Sequence, residues 1–290
     1  VTRVALIDAD VNTFQSAITS EKAIDWGDGL WTLHAFEGDV ETAFRNSIHA
    51  IMTATGADEA ILAFSDDDRS ANWRLRVLPT YKATRAGQRA PMLRKHALAF
   101  ARENYETKTV PTLEGDDVLG ILATSTMLRK RFGKDVELVV CTIDKDLKTI
   151  PGFHYNFGKR ELFEVTEEEA DRWHMYQTLV GDTTDNYAGC PNMGHETALE
   201  FLNDPYIWVQ YQHTFKSGPR KDTTETRWTK EPLGDRPLWD GVVSCFAKAG
   251  LGEEEALAQA RVARICRASD YDFKTKQVKL WTPSSKAATA

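Results

Sequence analysis

Three short apolar runs, RVALI (3–7), AILAF (60–64) and ELVVCTI (137–143), are separated by stretches whose apolar residues recur every three or four positions. Runs that are hydrophobic throughout suit strands covered on both faces, and the longer periodicity suits helices packed on such a sheet. The helical stretches fall at 38–55, 92–104, 117–131 and 167–180. In the last, Trp173, Tyr176 and Val180 mark a core face. Strand–helix alternation of this kind predicts an α/β fold: a mostly parallel central sheet flanked by helices. Near residue 186 the pattern changes. Helices are expected at 195–203, 238–250 and 253–269, and the polar, turn-rich stretch 216–237 reads as an exposed loop. The expected organisation is an α/β domain over 1–185, a mainly helical region over 186–283 and a disordered tail over 284–290.

Composition adds limits. The chain has 290 residues, 42% hydrophobic and 27% charged, which is enough to bury a sizeable core. No apolar run approaches the roughly 20 residues of a membrane span. VTRVALIDAD opens on a strand pattern, without the regions of a signal peptide, so a cytoplasmic protein is expected. Four scattered cysteines (Cys141, Cys190, Cys245, Cys266) read as isolated thiols, and the seven histidines show no metal-ligand spacing.

Net charge is −7, but it is unevenly spread. Arg69, Arg74, Arg76, Lys82, Arg85, Arg89, Arg94, Lys95 and Arg102 lie in one segment without a single acid. That segment therefore carries +9 and leaves −16 on the rest, a distribution that favours a phosphate-bearing partner beside cation sites.

The acids have a pattern of their own. Three strand candidates end in aspartate, at Asp8, Asp66 and Asp144, with Asp146 following the last. LEGDDVLG (113–120) adds Glu114, Asp116 and Asp117, and GDTTDN (181–186) adds Asp182 and Asp185. Acids in a first helical turn are ordinarily worth about 0.3–1 kcal/mol each against the helix dipole. Ligands in parallel α/β sheets, however, bind beyond the carboxyl ends of the strands. Nine converging carboxylates would repel one another, and hard divalent cations with oxygen ligands resolve that repulsion. Two such ions about 3.5–4 Å apart are the apparatus of metal-assisted phosphodiester hydrolysis. On a helix Glu114 and Asp117 share a face while Asp116 turns away by about 100°, a splay that suits two ions, or one ion with bridging water.

In NWRLRVLPTYKATRAGQRAP (72–91), cations alternate with Trp73 and Tyr81. Aromatic rings stack on bases and cations meet phosphates, a combination that fits single-stranded or frayed nucleic acid.

EGDDVLG, DKDL (144–147), GDTTDNYAGCPNMGHETA (181–198) and WRLRVLPTYKATR (73–85), in one chain, resemble the structure-specific 5′-nucleases. That superfamily holds flap endonucleases and the 5′-nuclease domains of bacterial DNA polymerases. The basic stretch and the ending DYDFKTKQVKLWTP (270–283) look most similar to stand-alone 5′→3′ exonucleases of tailed bacteriophages. The resemblance implies a two-ion Mg²⁺ site, with Mn²⁺ as a substitute. Asp8, Asp66, Glu114 and Asp116 would serve the first ion, Asp144, Asp146, Asp182 and Asp185 the second, with Asp117 near both. It implies a basic arch or clamp at about 69–102, in which Tyr81 stacks near the terminal base. Lys82 and Arg85 would be the catalytic cations, and Arg74 the partner of an aromatic residue. GCPNMGHETA resembles the family's helix–turn–helix element, so Gly189, Asn192 and Gly194 would present backbone to duplex phosphate and to a monovalent cation. Asn192 stands where Gly is usual, and Asn tolerates left-handed backbone. Glu196 replaces a common Lys, so duplex grip would shift to Lys216, Arg220 and Lys221, or to Arg261, Arg264 and Arg267 along a helix. The partner implied is DNA with a 5′ end, extending to RNA–DNA hybrids and flaps, and no membrane. If the chain is phage-encoded, the place is the host cytoplasm, and the process DNA replication, recombination or primer removal.

Two other readings remain open from sequence. Asp8-Ala-Asp10 with Gly181-Asp182-Thr-Thr-Asp185 resembles haloacid-dehalogenase-type phosphatases, with Asp8 as nucleophile. A non-catalytic nucleic-acid-binding protein on a nuclease scaffold is the other.

Overall fold

A computed structural model describes residues 1–85 and 87–283; the tail expected to be disordered, 284–290, lies outside the described residues. The first apolar run forms β1 (Arg3–Asp8), followed by α1 (Ala9–Thr19), a hairpin of β2 (Lys22–Asp25) and β3 (Trp31–His34), α2 (Glu37–Thr55) and β4 (Glu59–Phe64). After a series of turns come α3 (Arg94–Asn104), β5 (Thr107–Thr109), α4 (Gly115–Thr124) and α5 (Met127–Phe132). β6 (Glu137–Cys141), β7 (Gly152–Asn156) and β8 (Glu161–Val165) complete a six-stranded sheet of order β5-β4-β1-β6-β7-β8. Every neighbouring pair is parallel except β7–β8. The mostly parallel sheet read from the sequence is therefore the one present.

The apolar strands are sandwiched. Ala5, Ile7, Leu62, Phe64, Val139 and Cys141 point into a core with Phe44, Ile48, Ile51 and Phe100 of α2 and α3. On the alternate positions Val4, Leu6, Ile61 and Val140 are equally buried, and α4 packs against β1, β4 and β6. The register pairs Asp8 with Ala63 and Ile7 with Cys141, so β1, β4 and β6 end level with one another. Whatever follows those three strands emerges along one edge of the sheet.

Residues 1–76, 85–170 and 265–279 form one compact unit, and residues 77–84, 171–264 and 280–283 form another. The division expected at 185/186 thus falls inside the second unit. That unit contains α6 (Glu167–Val180) from Asp171 onward, then α7 (His195–Asn203), β9 (Tyr206–Thr214), β10 (Thr224–Pro232), α8 (Leu238–Lys248) and α9 (Glu253–Ala263). Its core joins Leu179, Met193, Phe201, Val242, Phe246 and Ala260. Cys190 and Cys245 lie there too, their thiols pushed up by burial to about 12 and about 11; all four cysteines are buried and unbridged. Among the described residues no helix is long and apolar enough to cross a membrane.

Several elements differ from expectation. The helix expected over 117–131 is two, because Ser125 turns extended and its hydroxyl competes for local backbone groups. The stretch 216–237 is not loop throughout: within it Thr224–Pro232 pairs antiparallel with Tyr206–Thr214. α9 stops at Ala263, and Arg264 is extended. Arg264 and Arg267 are buried, Arg267 donating to the Thr149 carbonyl at 2.8 Å, so the expected basic stripe is absent. α1 escaped notice because its buried face is Ala9, Asn12, Thr13, Ser16 and Ala17, small and polar rather than hydrophobic.

The returning segment 265–279 packs closely on α4. A Cβ on Gly120 would stand 2.3 Å from the Cys266 carbonyl oxygen and 2.7 Å from Ile150. Gly120→Ala should therefore destabilise the protein by about 1–3 kcal/mol; a thermal melt matching wild type would contradict this packing.

Candidate active site

Asp8, at the end of β1, is 2% exposed. It caps α1 by accepting from Val11 N at 3.2 Å, and it accepts the Thr142 hydroxyl at 2.9 Å. Burial foremost, then the negative charge of Asp10, and further that of Asp144, push its carboxyl up to about 7 against an ordinary 3.8. The two hydrogen bonds oppose the shift without cancelling it. Burial and the neighbouring carboxylates thus both disfavour the charged form.

The neighbouring strand ends supply the rest of that cluster. Asp144, at the β6 end, caps the turn Lys145–Thr149 by accepting from Asp146 N at 2.8 Å. Asp66, after β4, accepts from Thr112 N at 2.7 Å, while its own N–H bonds the Leu113 carbonyl. That exchange docks the segment leading into α4 beside the strand end. Gly115 opens α4, and a Cβ there would meet Asp10 Oδ2 at 3.2 Å and Ser65 N at 3.3 Å. Asp10 accepts from Ser65 N (2.9 Å) and the Ser65 hydroxyl, and faces Arg69 (3.2 Å) and Arg94 (3.6 Å). It was not among the expected site residues, although the D-x-D following the first strand could have signalled it.

LEGDDVLG takes part in a buried ion-pair cluster. Glu114 and Asp117 do share a face, but that face is turned to a buried arginine. Asp117 is wholly buried and accepts from Arg74 Nη1 (2.7 Å) and Nη2 (2.9 Å), Trp73 Nε1 (3.1 Å), Cys266 N (3.0 Å) and Glu114 N (3.2 Å). Five donors surround its two oxygens and anchor the first turn of α4. Arg74, 2% exposed, also reaches Glu114 Oε2 at 3.2 Å and stacks on the Trp73 ring at 4.6 Å. Asp116 stays half-exposed on the other side of the helix.

The basic segment is less available than its charge suggests. Among the described residues at least six of its nine cations are paired: Arg69 and Arg94 with Asp10, Arg74 with Glu114 and Asp117, Lys82 with Asp185, Arg89 with Glu21 and Arg102 with Asp67. Arg89 holds the Glu21 carboxyl down to about 2, and Arg102 holds Asp67 low in the same way. Residues 69–85 form short 3₁₀ turns rather than one long helix, with Arg85 exposed on the last.

In the second unit Tyr81, Lys82 and the GDTTDN loop form one constellation. Tyr81, only 6% exposed, donates its hydroxyl to Asp185 Oδ2 at 2.9 Å. Lys82 adopts a left-handed φ of 55°, donates its backbone N–H to the Asp185 carbonyl at 2.8 Å, and holds its ammonium 3.5 Å from Asp185 Oδ2. Asp182 Oδ1 accepts from Thr184 N (2.7 Å) and Asp185 N (3.2 Å), which fixes the loop. The end of α6 and the next turn pass almost in contact, since a Cβ on either Gly181 or Gly189 would come within 2.4 Å of backbone opposite. Asn192 takes the left-handed φ of 65° foreseen for it, and Gly194 caps α7. Lys216, Arg220 and Lys221 stand at the end of the β9–β10 ribbon.

Among the described residues no three acids, histidines or cysteines stand as a finished metal cage. The donors are nonetheless all oxygens, and the charge deficit at Asp8 suits a hard divalent ion. Mg²⁺ characteristically takes one or two carboxylates and keeps its waters, so this donor set fits it.

The sheet and the acids at its carboxyl edge are features of the structure-specific 5′-nuclease superfamily, and the chain belongs to that family. It is 36% identical over 290 residues to the exodeoxyribonuclease of Enterobacteria phage T3, covering 97% of this chain and 93% of that protein. The exonuclease of Escherichia phage T7 is 35% identical over 288 residues, with the same coverage. A flap endonuclease Xni of Pectobacterium atrosepticum is 32% identical over 190 residues, 59% of this chain and 68% of that one. The T5 5′-exonuclease with bound zinc ions shares the fold at a TM-score of 0.51 and 15% identity, over 69% of this chain and 74% of that one. No protein-family model matches the chain.

Two outcomes follow from this geometry. The folded state keeps the Asp8 proton between pH 3.8 and about 7, where the unfolded chain has lost it, so metal-free stability falls as pH rises through that window. In chelator at pH 8, Asp8→Asn should melt about 3–6 °C above wild type, with a smaller gap at pH 5. A lower melting point at pH 8 would contradict the repulsion. Arg74→Ala strands two buried acids and should cost about 3–5 kcal/mol in denaturant unfolding; a loss under 1 kcal/mol would show that the pair is not the anchor described.

Proposed function

We propose that this chain is a divalent-metal-dependent 5′→3′ exonuclease that hydrolyses phosphodiester bonds from the 5′ end of duplex DNA and releases 5′-nucleotides. The observation that carries the proposal is Asp8, buried beside Asp10 and Asp144 at the edge where three parallel strands end, its carboxyl raised by that burial first and by those charges after it. The relatives named exonuclease span 97% of the chain, and the T5 5′-exonuclease that shares the fold holds divalent ions.

Two divalent ions, Mg²⁺ with Mn²⁺ as substitute, would activate the attacking water and neutralise charge on the scissile phosphate when bound. Asp8, Asp66, Glu114 and Asp116 are proposed to hold the first. Asp144 and Asp146 are proposed as donors to the second, and the pair Asp182 and Asp185 as further donors to a divalent ion. Asp117 and Arg74 act by fixing Glu114. Lys82 and Arg85 stabilise developing negative charge on the phosphate. Tyr81 holds Asp185 and supports the chain that carries Lys82. The turn of Gly189, Asn192 and Gly194 offers backbone to duplex phosphate and to a monovalent cation. Flaps and RNA–DNA hybrids are further substrates in this reading. The setting is DNA replication, recombination or primer removal in the host cytoplasm.

The phosphatase alternative gains nothing from the structure. It needs an available Asp10 beside Asp8, whereas Asp10 is engaged by Ser65, Arg69 and Arg94, and it gives no role to EGDD, DKDL or the basic segment.

Incubation with end-labelled duplex should give Mg²⁺-dependent 5′-mononucleotides; release that survives chelation would refute the proposal. Asp146→Asn and Asp182→Asn should each lower turnover by about 10³-fold or more, with duplex binding retained. Lys82→Ala should lower the single-turnover rate by about 10²–10³-fold with little change in duplex affinity. An equal loss in both would remove its catalytic role.

A further inference from the structure

β9 and β10 pair over nine residues each, in register from Tyr206–Pro232 to Thr214–Thr224. At about 3.4 Å per residue the ribbon is about 30 Å long. Its root is held: Tyr206 and Trp208 pack against the core of the second unit, and Lys248 lies 3.2 Å from the Trp208 ring centroid. An isolated two-stranded ribbon is marginal in water. The distal half is nevertheless built to stay rigid.

Its two faces differ. On one, Tyr211, His213 and Phe215 meet edge to face, Arg220 and Arg227 lie over the Phe215 ring at 4.2 and 5.2 Å, and both arginines pair with Glu225. That face satisfies itself. The opposite face presents Gln210, Gln212 and Thr214, with Trp228, Thr226 and Thr224 across from them in that order. Beyond the half-buried Trp228 these are exposed, neutral hydrogen-bonding side chains; Gln212 bonds Thr226 at 3.0 Å. The connecting turn is closed by Asp222 N to Phe215 O (2.8 Å) and Thr223 N to Arg220 O (3.0 Å). Among the described residues Lys216 and Lys221, at this tip, pair with no acid.

A polar face offers nothing to an apolar protein groove. Neutral hydrogen-bonding side chains edged by two unpaired lysines do suit a duplex, whose major groove of about 12 Å admits a two-stranded ribbon. We propose that the β9–β10 ribbon is a second duplex-DNA-binding element, which lays its Gln–Thr face along the groove and sets Lys216 and Lys221 on flanking phosphates. The inference rests on the reading of the chain as a DNA enzyme. It assigns duplex grip to this ribbon, with Arg220 as a strut of the tip rather than a phosphate ligand.

The test is binding of the full chain, in chelator, to one labelled duplex and to a single strand of equal length across a salt series. Each phosphate-bound lysine contributes about 1 to the slope of log affinity against log salt. The Lys216→Ala/Lys221→Ala protein should lose about 2 from the duplex slope and leave the single-strand slope intact. Gln212→Ala/Thr226→Ala should weaken duplex binding with the slope unchanged, because uncharged contacts release no counterions. Native duplex affinity and slope in the lysine variant would overturn the proposal, as would equal losses on single strands. So would a binding defect seen only toward an acidic polypeptide, which would mark a protein-docking ribbon. Chelated binding separates the two readings: wild type that binds duplex in chelator and still fails to cleave it once Mg²⁺ is restored sinks the nuclease, not the ribbon.

Discussion

The buried Arg74–Asp117 pair is the interaction on which the first unit's site depends. It joins three stretches far apart in sequence: the turn at 73–76, the first turn of α4 and the returning segment at Cys266. Burying two charges is costly, and only their mutual attraction with full hydrogen bonding repays it. Here the two Arg74 bonds, Trp73, Cys266 N and Glu114 N supply that bonding. The consequence for function is indirect. Glu114 is held against Arg74 at the start of α4, and Gly115 lets that start approach Asp10 and Ser65.

Opposed to this neutralised centre is the uncompensated one beside it. Asp8, Asp10 and Asp144 repel one another where β1 and β6 end together, and only part of the repulsion is relieved by Arg69 and Arg94 acting on Asp10. A carboxylate site prepared for cations costs stability until they arrive. The basic segment is arranged by the same economy. Most of its charge is committed to local acids, so its attraction for phosphate falls well short of the nominal +9.

The sheet was legible because parallel strands buried on both faces must be apolar throughout, as RVALI, AILAF and ELVVC are. Seven acids were legible as a group because they follow those strands or open α4. α1 was not, since a helix packed through Ala, Asn, Thr and Ser shows no hydrophobic period. The β9–β10 ribbon was not, because the polar alternation of its distal half looks like a loop when only hydrophobic pattern is read.

The sequence by itself therefore determined the three central strands, most helices, the carboxylate chemistry and the left-handed turn at Asn192. These follow from local pattern and side-chain chemistry, which each residue carries wherever it is placed. Only the tertiary structure decided how each charge is spent. Asp116 and Asp117 are adjacent and chemically identical, yet one stays half-exposed and the other is sealed against Arg74. Arg264 and Arg267 look like a surface stripe, yet both are buried. The reason is physical. A charged group's role is set by its desolvation and by partners tens to hundreds of residues away, and neither is written in its neighbours along the chain.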